Sequence, residues 1–110
     1  MRVMSLADKK CVPCRKDAPR LSPIEAAKLA RETPEWTLNG TWDRIAREFT
    51  FKDFDAAMKF VNKVAGLAEE VGHHPDFVIH YNKVELVLWT HKIGGLHEND
   101  FILAAKIDAF

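Results

Sequence analysis

Between Asp53 and Gly72 the chain carries an apolar pattern that only a helix can bury. At about 100° per residue, Phe54, Ala57, Met58, Val61, Val64, Ala65, Ala68 and Val71 share one face, and Phe60 with Leu67 widen it to roughly half the circumference. Asp53 is a natural N-cap and Gly72 a natural C-terminal cap. A helix lying only on a sheet needs a narrower stripe, so the excess predicts a second surface, which a homo-oligomer, dimer or tetramer, would supply. Glu70 points to the solvent side of this wheel, whereas Glu69 lies on the flank of the apolar face, one turn before His73.

Hairpin signals flank this helix on both sides. Ser22-Pro23-Ile24-Glu25 reads as a capping box with proline at the first helical position, predicting a helix from about 23 to 32 that ends before Pro34. Trp36 to Leu38, the Asn39-Gly40 turn and the alternating Ile45, Phe49 and Phe51 predict a first hairpin. Phe77 to Tyr81 and Val84 to Thr90 predict a second one. A two-residue turn at Asn82-Lys83 would pair Tyr81 with Val84, set His80 across from Glu85, and bring His91 opposite His74. That register puts Phe77, Ile79, Tyr81, Val84, Leu86 and Leu88 on one apolar face, with Tyr81 packed in the core. Val78, His80, Glu85, Val87, Trp89 and His91 take the other face. After Gly94-Gly95, residues 98 to 110 read as a last helix whose apolar side chains surround it and require burial on more than one side. The order α-β-β-α-β-β-α predicts an α+β domain, a four-stranded antiparallel sheet with helices packed on one face.

Residues 21–110 account for this single domain. Segment 1–20 holds both cysteines, Cys11 and Cys14, in a C-x-x-C among Lys9, Lys10, Pro13, Arg15, Lys16 and Pro19. It lacks the further ligands of a structural zinc and the strand and helix of a redox motif. It therefore reads as a flexible tail, of which residues 1–18 are expected to be dispensable for the domain's activity, with a metal or disulfide role for the cysteines as the alternative. Sixteen basic and sixteen acidic residues cancel, so no net field draws the chain to nucleic acid or an anionic membrane. No stretch has signal-peptide character or approaches the ~18 apolar residues of a membrane span, which reads as a cytoplasmic protein.

Three of the five histidines fall in one frame, Glu69, His73, His74, Pro75, Tyr81, His91 and Asp100, spaced E-x3-H-H-P-x5-Y-x9-H-x8-D. Imidazole both gives and accepts a proton near neutrality, so the cluster points to proton transfer. A metal site on His73, His74 and His91 is disfavoured: neighbours on an extended chain point apart, and no further ligand completes the set. Asp100, third in its helix, has a capping role available to it, with His97 as an unusual N-cap.

This frame, with the preceding F-T-F-K-D-F-D-A-A-M-K-F-V and the following Y-N-K-V, T-H and G-L-H-E-N-D, resembles the pterin-4a-carbinolamine dehydratase family, also called 4a-hydroxytetrahydrobiopterin dehydratases, over about residues 21 to 110. The resemblance implies a hydro-lyase with no metal and no organic cofactor, acting on a reduced pterin. Its product is the quinonoid dihydropterin, which links the chain to aromatic amino acid hydroxylases. It further implies His73 and His91 as general acids and His74 as a pterin ligand with a base role. Glu69, Gly72, His73, His74, Trp89, Thr90, His91 and Lys92 would contact the substrate, with Asp100 supporting them. Trp89 and Lys92 stand where some relatives carry smaller or acidic residues. The fold also hosts non-enzymatic binding and assembly partners, the alternative function for this chain.

Overall fold

Ser22 begins the first helix as its sequence requires: its Oγ accepts from the Glu25 N–H at 3.2 Å and the Glu25 carboxylate accepts from the Ser22 N–H at 2.9 Å. These bonds hold the Glu25 carboxyl below its usual range. The computed structural model describes residues 6–12 and 19–110. Cys14, and with it the C-x-x-C pair, lies outside the described residues. Helix α1 spans Pro23–Ala30, two residues short of the expected end, and strand β1 spans Thr37–Leu38.

Strand β2, Ile45–Thr50, pairs with β1 through Thr37↔Ala46 and Leu38↔Ile45. The connection is longer than a tight Asn-Gly turn because the Asn39 side chain organises it. Asn39 Oδ1 accepts from the backbone N–H groups of Asp43 and Arg44 at 3.0 and 2.9 Å, a local bond that asparagine offers in place of a ladder. Hydrogen bonds from the Asn39 amide and the Thr41 hydroxyl hold the Asp43 carboxyl at about 2, below its ordinary 3.8. Because the folded value is the lower one, the stabilisation is complete above 3.8 and is lost as pH falls towards about 2. An NMR titration of the Asp43 carboxyl carbon is expected to give the depressed midpoint; the ordinary value would mean that these bonds are not formed in solution.

Helix α2 spans Phe54–Val71, capped by Asp53, whose Oδ1 accepts from the Ala56 N–H at 2.8 Å, and ended by Gly72 at φ 73°. Ala57, Val64 and Ala68 are buried. The extra width of the stripe is used within the chain: the Phe60 ring lies 4.6 Å from that of Phe49 and 5.0 Å from that of Phe51. Phe54 stays exposed and stacks on Tyr81.

Strand β3 covers Asp76–His80 and β4 Lys83–Leu88, and all neighbours in the sheet order β1-β2-β4-β3 are antiparallel. This is the expected α+β architecture. The second hairpin turns one step earlier than its sequence suggested, at Tyr81-Asn82, so His80 pairs with Lys83 and Val78 with Glu85. Asn82 is fixed in the turn by two bonds to Phe51, its side-chain amide donating to the Phe51 carbonyl and its backbone carbonyl accepting from the Phe51 N–H, each at 2.8 Å. The register therefore moves by two positions, an even number, and the two faces keep their side chains. Val84, Leu86 and Leu88 are fully buried on the helix side. Tyr81 is corrected from core to turn: it sits at φ 51° and is 65% exposed. His91 does not face His74 across a ladder, since β4 ends at Leu88 and His91–Ile93 form a 3-10 turn.

Helix α3, Glu98–Asp108, buries Phe101, Ile102, Leu103, Ala104 and Ile107. Part of its second surface is supplied by the chain itself. Residues 6–12, expected as part of a flexible tail, dock on α3: Leu6–Asp8 form a 3-10 turn with Leu6 buried in the core, and the Lys106 ammonium donates to the Ala7 carbonyl at 2.8 Å. Two of the sequence features that predicted an oligomer, the width at Phe60 and the apolar circumference of α3, thus have partners inside one chain. Among the described residues no helix is long and apolar enough to cross a membrane.

Candidate functional site

Gly72 makes the turn that builds the site. Its left-handed backbone, costly for residues with a Cβ, ends α2 and delivers two consecutive histidines onto the segment that leads into β3. Proline at position 75 favours an extended backbone for His74, so the two rings diverge: His73 is buried and His74 exposed.

Each of the three histidines of the frame has a carboxylate. His73 Nε2 lies 2.5 Å from Asp100 Oδ1. Asp100 is fully buried in the first turn of α3, and its Oδ2 accepts from the Thr90 hydroxyl at 2.9 Å and from the His97 N–H at 3.0 Å. One carboxylate therefore closes the capping box of α3, holds the end of β4 and orients His73. His97 completes the cap as Nδ1 accepts from the Asn99 N–H at 3.0 Å. His74 Nε2 lies 3.0 Å from Glu69 Oε1, one helical turn back on α2, where both groups are solvent-exposed. His91 Nε2 stands 3.8 Å from Asp76 Oδ1, and Asp76 Oδ2 accepts from the Trp89 indole N–H at 2.9 Å. The Trp89 ring is 3.9 Å from that of His91, and the Arg44 guanidinium lies 4.0 Å from its centroid. Exposed ion pairs stabilise a fold little, so the Glu69 and Asp76 contacts matter mainly as orientation.

A cavity of about 340 Å³ opens over this group, lined by Gly72, His73, His74, Trp89, Thr90, His91 and Lys92. The three histidines of the frame thus converge on the cavity, whereas Glu69, expected as a substrate contact, does not line it and touches His74, Asp100 lies against His73, and Tyr81 is away in the hairpin turn. His80 pairs with Lys83 at the far end of the hairpin and does not line the cavity. Asp76 and Arg44 were not anticipated. Asp76 had a usable signal, since the alternation of β3 places it on the face that carries Val78; Arg44 had none. Among the described residues no three His, Cys, Asp or Glu side chains are grouped to hold a metal ion.

A family model described as pterin 4 alpha carbinolamine dehydratase matches residues 19–110. A chain from Halorhodospira halophila, provisionally named a pterin-4-alpha-carbinolamine dehydratase, is 47% identical over 106 residues, covering 96% of this chain and 97% of its own. The crystal structure of a transcriptional coactivator/pterin dehydratase from Brucella melitensis superposes with a TM-score of 0.77 at 35% identity, over 83% of this chain and 97% of that one. A pterin dehydratase-like protein identified as a RuBisCO assembly factor in the alpha-carboxysome gives a TM-score of 0.59 at 26% identity, over 68% and 87%.

Proposed function

The chain belongs to the pterin 4 alpha carbinolamine dehydratase family, and from that premise we propose that it dehydrates a 4a-hydroxytetrahydropterin to the quinonoid dihydropterin, returning the cofactor of aromatic amino acid hydroxylases to a reducible form. The observation that carries this reading is the convergence of His73, His74 and His91 on one cavity, each beside its own carboxylate. Its volume of about 340 Å³ lies at the small end of ligand pockets, the size a bicyclic heterocycle needs.

In the reaction the C4a–O bond breaks and a C4a=N5 double bond forms. The leaving oxygen takes a proton, a ring nitrogen gives one up, and water departs. Two proton transfers are required and no electrons are exchanged with the protein, which suits paired imidazoles. His73 and His91 carry the transfers. With Asp100 accepting from His73 Nε2–H, the neutral ring presents Nδ1 as a proton acceptor. The carboxylate also stabilises the imidazolium that returns the proton. His74 binds the pterin from the exposed side, oriented by Glu69, and Gly72, Trp89, Thr90 and Lys92 shape the remaining wall.

A second reading, a non-enzymatic binding or assembly partner, is favoured by the assembly role of one structural relative. One assay separates the two. Enzymatically generated 4a-hydroxytetrahydropterin is followed by ultraviolet absorbance with and without the protein. At catalytic protein concentrations its loss is expected to exceed the unaided rate, and to do so equally after exhaustive chelation. An unaccelerated decay would favour the partner reading, and chelator-sensitive activity restored by zinc would remove the histidine mechanism.

A further inference from the structure

The geometry points to a role for the N-terminal segment, and we infer that Asn99 is a positioning residue: it ties residues 6–12 to the first turn of α3 and so holds the Asp100 carboxylate against His73. Asn99 is 1% exposed. Its amide is matched on both sides by one backbone residue: Oδ1 accepts from the Val12 N–H at 3.0 Å and Nδ2 donates to the Val12 carbonyl at 2.6 Å. A side-chain amide is here used as a strand uses a neighbouring peptide group. The Asn99 N–H is held by His97 Nδ1, and the next residue in the chain is Asp100. Around this point Lys9 pairs with Glu98 at 3.5 Å, Lys106 donates to Ala7, and Leu6 enters the core, so the segment is also anchored along the residues that lead up to the clamp.

The physical consequence follows from burial. If the segment left, both ends of the Asn99 amide would need new partners in a buried place, and the first turn of α3 would shift or admit water to supply them. Asp100 could not stay still while its neighbour moved, and its bonds to His73, Thr90 and His97 tolerate little displacement. Residues 6–12, which belong to a stretch expected from sequence to be dispensable, therefore become part of what sets His73.

This inference rests on the dehydratase reading for its kinetic consequence but not for its structural one, and the test uses that difference. In the full-length chain, Val12→Pro removes the N–H that Asn99 accepts, while Val12→Ala keeps it; the Val12 side chain is 55% exposed, so its loss disturbs no core. Val12→Pro is expected to lower kcat by up to roughly 10²-fold, the cost of misplacing a reacting group by about 1 Å, with KM little changed. It should also shift the NMR signal of the His73 Nε2 proton or speed its exchange. Val12→Ala should match the wild type in both. Asn99→Asp, which sets a carboxylate oxygen against the Val12 carbonyl, should act in the same direction; if it fails to fold, the Val12 pair still decides. A Val12→Pro protein with wild-type kcat and an unmoved His73 signal would overturn the inference, as would lost activity with that signal unmoved. If the wild type itself shows no dehydratase activity, the functional reading falls and the His73 signal alone judges the clamp.

Discussion

Replacing His91 by alanine, or His73 by glutamine, is expected to lower the catalysed dehydration rate by on the order of 10²- to 10⁴-fold, the usual contribution of a positioned general acid or base. The two substitutions differ because the sites differ. His91 is exposed on a short turn and can be truncated without opening the core. His73 is buried against Asp100, so glutamine, which keeps a donor for that carboxylate, separates lost chemistry from lost folding. His80→Ala is the control, since the same residue type at the end of β3 lies outside the cavity and its loss should be nearly silent. Carbinolamines also dehydrate unaided, so the background rate must be subtracted. Equal losses at His80 and His91 would end the proton-transfer assignment.

At Asp100 the expected effect falls on both stability and rate. Asp100→Ala leaves the His73 ring, the Thr90 hydroxyl and the His97 N–H without their acceptor, and each such unsatisfied buried donor costs about 1 to 3 kcal/mol. In a domain of this size that should lower the thermal midpoint by more than about 10 °C. Asp100→Asn is the sharper probe. Thr90 and His97 both donate to Oδ2, so the asparagine oxygen takes that place and its amide nitrogen faces His73. Nε2 must then accept, which puts the neutral ring's proton on Nδ1 and withdraws the acceptor that the mechanism uses. A wrongly fixed tautomer is expected to cost at least about 10²-fold in rate, and nitrogen NMR of His73 reads the tautomer directly. Wild-type turnover in Asp100→Asn with His73 flipped would show that His73 Nδ1 takes no part.

The elements that were legible in the sequence are those fixed by local chemistry. The Ser22 capping box, the Asp53 and Gly72 caps of α2 and the alternation of β4 each depend on residues within a few positions, and each is found where expected. The two short runs that line the cavity, around Gly72 and Thr90, were legible through the family resemblance, not through local chemistry. What escaped depends on distant partners. The turn at Tyr81-Asn82 is chosen by Phe51, thirty-one positions from Asn82 in sequence. The docking of residues 6–12 is chosen by Asn99, and their basic, cysteine-bearing surroundings gave no sign of it. Asp100 looked like a cap or a site residue; in the fold its one buried carboxylate caps α3 and also meets His73 and Thr90, because it has room for three donors.

The short turn that carries His91 is closed by backbone bonds, with the Arg20 guanidinium donating to the Gly94 carbonyl at 3.1 Å from outside it. Thr90 and Gly95 form an isolated bridge, with the Thr90 N–H donating to the Gly95 carbonyl at 2.8 Å, and Gly94 reverses the chain at φ 61°. None of these bonds requires a particular side chain at positions 91 to 93. Lineages built on such a scaffold are free to exchange the contents of this turn without renegotiating the sheet or the helices. Chemistry can then be lost or redirected while the shape persists, a route by which one ancestral fold can supply both catalysts and companions of other enzymes.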